Sequence, residues 1–348
     1  MPTGTHRPTS RLPLVWAFAA VIALFAVVVA GYAFLRDRPG PVAVPVFAGG
    51  TSAVAPPVST SRPSPSPSSS PPKPKPKPKP RPTPTPSDGG KASFWGDTST
   101  IPAARNVLTV KVLNRTNGKY PDSKVYWSFN GRTHSIADRP YLDLPANNSG
   151  RLYFHLGSPS SKFSDFIEFT VGADVFNGNT TRVDAFVLKI AMRLHARDGF
   201  DTSVGESPAV FAESRAATFA RFRAAVPAEF DHLAQGQDKI LSPGGDPAFR
   251  PGGRYADYFK PVSDIAASDI LGCAGPLAGQ PDKCAALNRH GTKPADYYQA
   301  APANFYADFW HDNAIGHRAY GFPYDDVNAQ STYVSHSDPQ YLLVAVGF

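Results

Sequence analysis

Two carboxylates sit where carboxylates are uncommon. Glu168 lies in the apolar run FIEFTVG, and Asp184 comes 16 residues later in TRVDAF. An acid among Phe, Ile and Val is generally paired or functional. Strand alternation puts Phe166, Glu168 and Thr170 on one face of their run, and Arg182, Asp184 and Phe186 on one face of theirs. If the runs pair antiparallel with residue numbers summing to 352, Glu168 faces Asp184 and Thr170 faces Arg182. Two carboxylates over one groove suit glycoside hydrolysis. One carries a proton for the leaving oxygen, and the other is ionised to attack or to activate water. Carboxyl gaps of about 5–5.5 Å serve retention, and gaps of about 6.5–9.5 Å serve inversion. A structural alternative has either acid paired with Arg182 or Arg193, or facing solvent on one side of an antiparallel sheet.

The elements that must hold these acids read as mainly β. VLTVKVLN (107–114), KVYWSFN (124–130), GRLYFHLG (150–157), KFSDFIEFTVG (162–172) and TRVDAFVLKIAMRLHA (181–196) alternate and are punctuated by Gly, Asn, Pro or Asp. Such close spacing suggests a sandwich or barrel. After Gly199 the texture turns helical. Ser207 is a candidate N-cap with Pro208 at the first position, and Phe211, Arg215, Phe219 and Phe222 recur at helical spacing until Pro227. A second helix is expected over Pro302 to Ile315. HRAYGFPYDD and YLLVAVGF then return to strand texture. The fold class is therefore mainly β with α/β, a mixed α/β lobe (about 199–316) being inserted into a β lobe (about 93–198 and 317–348).

The first 92 residues have other work. Residues 12–35 form a run of 24 without charge, long enough for a transmembrane helix or signal anchor. A cleaved signal peptide is the alternative. Either one exports the rest of the chain. Anchoring leaves 1–11 cytoplasmic and the folded part outside the cell membrane. Residues 36–92 read as a disordered Pro/Ser/Lys-rich linker, since 17 of the 37 prolines fall there and proline supports neither helix nor ladder. Residues 1–92 hold 11 Lys+Arg against 2 Asp+Glu, whereas the remainder holds 24 against 26. The basic character belongs to the tether, which removes the argument for a nucleic-acid partner.

Cys273 and Cys284 are the two cysteines, and in an exported domain they are expected to form a disulfide. Two thiols alone cannot build a zinc site, and no HExxH, GxSxG or P-loop occurs, so no metal or cofactor is expected. Asp325 and Asp326 alternate to opposite faces if they lie on a strand, which suits local structure or a groove wall better than one metal site. Tyr320, Phe322 and Tyr324 share a face and read as core or as a sugar-stacking platform. His311 and His317 flank a helix end as groove or capping residues.

The stretches FIEFTVG and NTTRVDAF resemble glycoside hydrolase family 64, the thaumatin-like β-1,3-glucanases, with the same separation of 16 between acids. CAALNRH, FYADFWHDNAIGHRAY and AYGFPYDDVNAQSTYVSHSDPQYLLVAV also resemble that family, so the similarity covers nearly all of 103–348. The resemblance implies a thaumatin-like β lobe, a mixed α/β lobe, a wide groove for β-1,3-glucan and an inverting mechanism. It places the general acid on Glu168 and the general base on Asp184. Thr170, on the glutamate's face, and Arg182, Phe176 and Tyr324 are the candidate substrate contacts of this sequence. One departure stands out. The family carries a tryptophan between its two acids, and here the region reads VFNGN, with Phe176 as its aromatic. The expected protein is a monomer. A non-catalytic, lectin-like glucan-binding module is the alternative, and two retained acids favour the enzyme.

Overall fold

The computed structural model describes residues 94–348. The expected anchor at 12–35 and linker at 36–92 lie outside the described residues. Among the described residues no helix is long and apolar enough to cross a membrane.

The chain opens with strands β1 (Leu108–Asn114), β2 (Val125–Phe129), β3 (Arg132–Ser135), β4 (Tyr141–Leu144), β5 (Asn148–Leu156), β6 (Ser164–Val171) and β7 (Val175–Thr180). Then come β8 (Ala185–Phe186), β9 (Lys189–Ala196) and β10 (Asp201–Gly205). Helices α1 (Pro208–Ala212), α2 (Arg215–Ala225) and α3 (Ala228–Asp231) precede β11 (Ala234–Gln235) and β12 (Lys239–Leu241). Helices α4 (Ala267–Gly272), α5 (Pro281–Arg289) and α6 (Phe305–Asn313) lead to β13 (Val334–Ser337) and β14 (Pro339–Gly347).

Two sheets face each other. One runs β10-β9-β14-β1-β4 and the other β13-β7-β6-β5-β2-β3. Alternation builds the core between them: Val110 and Val112 of β1, Leu152 and Phe154 of β5, Ile167, Phe169 and Val171 of β6, and Leu342, Val344 and Val346 of β14 are buried together. Strand β14 is apolar on both faces because its other face, Leu343 and Ala345, is covered by Trp95 and by Phe211 of α1. It lies parallel to β1, so the end of the chain closes a sheet begun by the first strand.

A second core gathers Phe219 and Phe222 of α2, Phe230 of α3, Ile240 of β12, Tyr306 and Trp310 of α6, and Phe186 of β8. The expected order of β, helix-rich and β segments is present, but the boundary differs. Strand β10 still belongs to the sandwich, while β8 pairs with β12 and gives Phe186 to the second core. The chain thus dips into the second lobe at 185–186 and returns. The expected strand over 181–196 is broken there. The single helix expected after Ser207 is also two helices, because Ser214 starts α2 by accepting a hydrogen bond from the Ala217 N–H. The second expected helix is present as α6, capped by the Asn304 side chain on the Ala307 N–H.

Candidate functional site

Glu168 stands on the outward face of β6, since its neighbours Ile167 and Phe169 fill the sandwich core. Its side chain keeps 18% of its surface exposed. Across the β5–β6 ladder its direct partner is Arg151. The Nε and Nη2 atoms of Arg151 both lie 3.0 Å from Glu168 Oε1. Arg151 also lies over the Phe166 ring, 4.1 Å from its centroid. Burial would lower the arginine pKa, but the charge and hydrogen bond of Glu168 together with Tyr153 outweigh it, and the pKa is raised. The structural alternative named Arg182 or Arg193 as the pairing cation. The partner is Arg151, and alternation in GRLYFHLG, which puts Arg151, Tyr153 and His155 on one face, is the signal that identifies it.

On the other flank the expected register does not form. Glu168 pairs with Asn179, and Thr170 pairs with Asn177. The chain turns directly after β6, where the Gly172 N–H donates to the Val175 carbonyl at 2.8 Å, and VFNGNT becomes a strand. Phe176 then points inward, fully buried and stacked with Phe169 at 6.4 Å. It is a core residue and not a sugar contact. Gly178 permits this arrangement, because a Cβ there would lie 2.6 Å from the Phe176 ring. Asn179, 6% exposed, sits beside Glu168, and its Oδ1 has no hydrogen-bond partner. Thr170 shares the Glu168 face as expected. Opposite it, Asn177 Oδ1 accepts from Tyr333 Oη at 2.9 Å and Ser335 Oγ at 2.7 Å.

Asp184 lies off the ladder, four residues beyond the end of β7, and is exposed. Its carbonyl accepts from the Ser242 N–H at 3.1 Å, which ties it to the second lobe. The residue that fixes this crossing is Arg182. Expected as a substrate contact, it is 3% exposed. Its Nε donates to Glu206 Oε1 at 2.7 Å, its Nη1 to Asp165 Oδ2 at 2.9 Å and its Nη2 to the Leu188 carbonyl at 2.9 Å. Asp165 also accepts the Val187 and Leu188 N–H groups, and Glu206 accepts that of Ile190. Burial pushes both carboxyls upward against the pull of Arg182. One buried cation with two buried anions therefore clamps the backbone on either side of Asp184. Tyr306 Oη adds a hydrogen bond to the Arg182 carbonyl at 2.6 Å.

The segment expected as the strand HRAYGFPYDD is a series of turns, and the faces inferred for it dissolve. Gly321 is packed against α6, where a Cβ would meet Ala307 at 2.7 Å. Phe322 is core. Asp325 is fully buried, 2.8 Å from Arg289 and 3.1 Å from His311, so it is a structural anion. Tyr324 adopts φ +66°, and its hydroxyl accepts from the Gly279 N–H at 3.0 Å. It therefore braces the loop that the Cys273–Cys284 disulfide closes, away from the role expected for it. Cys273 and Cys284 are bonded, as the sequence indicates.

Tyr320 is the member of this segment that reaches the Glu168 neighbourhood. Burial raises its phenol pKa, and the charges of Asp326, Asp325 and Glu168 raise it further. Tyr320 is thus a neutral donor at any ordinary pH. Asp326 is exposed, yet the protein around it and the Asp325 charge push its carboxyl upward. The outward face around Glu168 is therefore a polar and aromatic surface fit to bind hydroxyl-rich chains. Among the described residues no group of three or more His, Cys, Asp or Glu side chains could hold a metal ion.

A family model described as beta-1,3-glucanase, glycoside hydrolase family 64, matches residues 158–268 and 266–346. A laminaripentaose-producing β-1,3-glucanase of that family from Paenibacillus barengoltzii is 36% identical, with 72% of this chain and 78% of that chain covered and a TM-score of 0.65. Its complex with laminarihexaose gives 35% identity, the same coverage and a TM-score of 0.66. A β-1,3-glucanase domain from Clostridium beijerinckii shares the fold at 21% identity, with 72% of this chain and 100% of that chain covered and a TM-score of 0.64. A comparison with curated proteins finds no match.

Proposed function

The chain belongs to glycoside hydrolase family 64, the β-1,3-glucanases, and from that premise we propose that Glu168 and Asp184 hydrolyse β-1,3-glucan with inversion. The observation that carries the reading is the setting of Glu168. It is a half-open carboxyl on a rigid strand, among polar and aromatic side chains, in a chain of this family.

Glu168 gives its proton to the glycosidic oxygen as the bond from that oxygen to the anomeric carbon breaks. Asp184 takes a proton from the water that attacks the opposite face of the same carbon. The Arg151 contact is compatible with the acid role. Both arginine donors reach Oε1, and a protonated carboxyl keeps acceptor capacity there. The proton then resides on Oε2. Asp184, exposed at the junction of the lobes, has room for water beside it. The two lobes support a thaumatin-like arrangement with the glucan groove between them.

The test is release of reducing ends from laminarin by the full-length protein. Glu168→Gln and Asp184→Asn should each lower kcat by roughly 10²–10⁴-fold. Nuclear magnetic resonance of the first products should find the new reducing end in the inverted configuration. Unchanged release by Glu168→Gln removes the acid assignment, and a retained configuration removes the inverting one. Glucan binding without cleavage is the second reading, favoured by the ion pair on Glu168. It predicts laminarin binding by wild type with no reducing ends released.

We further propose that the hydrolase works outside the cell, held to the membrane by residues 12–35, because that run is long enough to span and a polymer substrate is met outside. Recovery of the full-length protein in a salt-washed membrane fraction is the expected outcome. Recovery in the medium with a new N-terminus would indicate cleavage instead.

A further inference from the structure

Few large apolar or aromatic side chains stand exposed among the described residues, and two of them share the sheet face that carries Glu168. They are Tyr153, 37% exposed, and Tyr333, 40% exposed. Tyr153 lies on β5 opposite Phe166, one pleat from the Arg151–Glu168 pair. Tyr333 immediately precedes β13, whose Val334 pairs with Gly178, so Tyr333 stands level with Asn179 and hence with Glu168. The two tyrosines flank the acid from opposite sides. Glu168 is one strand from Tyr153 and two strands from Tyr333 in the order β13-β7-β6-β5. Three inter-strand steps of ~4.8 Å span roughly 14 Å, enough for several sugar units.

Both rings are held in place. Tyr153 packs 5.4 Å from Phe166 and 6.4 Å from His155. Tyr333 is pinned through its hydroxyl to Asn177 at 2.9 Å. A pre-set aromatic face loses little entropy on binding, and its electron-rich surface suits the C–H face of a pyranose. A glucan chain laid across the strands over Glu168 meets Tyr153 on one side and Tyr333 on the other.

We propose that Tyr153 and Tyr333 are the two sugar-stacking platforms of the glucan groove, one on each side of the scissile bond. This rests on the assignment of Glu168 as the acid. The platforms take the place of an aromatic between the acids, where this chain has the inward Phe176. Tyr153, nearer to Glu168, serves a sugar close to the cleavage point. Tyr333 serves one further away, so it matters for longer chains.

The experiment uses the full-length protein. Laminarihexaose and laminaritriose binding is measured by calorimetry in the Glu168→Gln background, and KM, kcat and product lengths are measured on laminarin in the active protein. Tyr153→Leu should weaken both oligosaccharides about tenfold. Tyr333→Leu should weaken the hexaose about tenfold and the triose little. Each should shift product lengths. The Phe variants should restore binding, which a loss of packing at the tyrosine hydroxyls would not allow. Leu variants that bind and cut like their parents, while Glu168→Gln remains inactive, overturn the platforms and leave the hydrolase reading intact. Failure of the parent to bind or cut any of these glucans overturns both.

Discussion

Arg151 and Glu168 are direct cross-strand partners, and both arginine donors converge on one carboxyl oxygen at 3.0 Å. The acid is thereby oriented as well as charged against. Replacing Arg151 with Met keeps most of the stem and removes the cation. The expected result is a kcat reduced about tenfold, because the carboxyl loses the partner that orients it. An unchanged kcat would mean that the pair is only structural.

Arg182 should behave differently. Arg182→Met leaves Asp165 and Glu206 buried without their cation, which typically costs about 3–5 kcal/mol. Arg182→Lys should recover little, since one ammonium cannot reproduce donors reaching Glu206, Asp165 and the Leu188 carbonyl. Denaturant unfolding measures both. A stable variant with weakened glucan affinity would instead return Arg182 to the groove.

Phe176→Ala empties a site in the sandwich core, at a cost of about 3–5 kcal/mol. At a temperature where the variant stays folded, its KM for laminarin should match wild type. A raised KM with unchanged stability would restore the sugar contact read from the sequence.

The disulfide closes an 11-residue separation, for which loop entropy in the unfolded chain gives about 2–3 kcal/mol. A Cys273→Ala, Cys284→Ala double variant should lose about that much in denaturant unfolding. It should keep its activity at low temperature, because the bridge lies in the second lobe, away from Glu168.

His311 makes stability depend on pH. Burial alone would lower its pKa, but the charge and hydrogen bond of Asp325 together with the His317 carbonyl outweigh burial and raise it. A raised histidine contributes its full stabilisation below the unfolded value of about 6.5 and loses it as pH rises through the folded value. Wild type should therefore exceed His311→Gln in Tm most at acid pH, with the gap closing toward the alkaline side. A gap that widens with pH would contradict the sign.

Alternation over Phe166 to Val171 made the face of Glu168 legible, because a period of two admits no other reading once Ile167 and Phe169 are buried. The neighbour of β6 was not legible. VFNGNT has the composition of a loop, and its strand character depends on a tight turn and on Gly178 making room for Phe176. Arg182 continued the alternation into a stretch where the chain had already left the sheet, so its assigned face had no meaning. Tyr324 was misread for a related reason. Its left-handed backbone ends any strand, and tyrosine gives no warning of that conformation.

The buried clamp at Arg182 ties the Asp184 segment to the strand that carries Glu168, because Asp165 of β6 holds Arg182, while Ser242 ties the same segment to the second core. On the roles proposed above, the donor and the water activator would therefore share one frame, and loosening that clamp would move the activator while leaving the donor's strand in place.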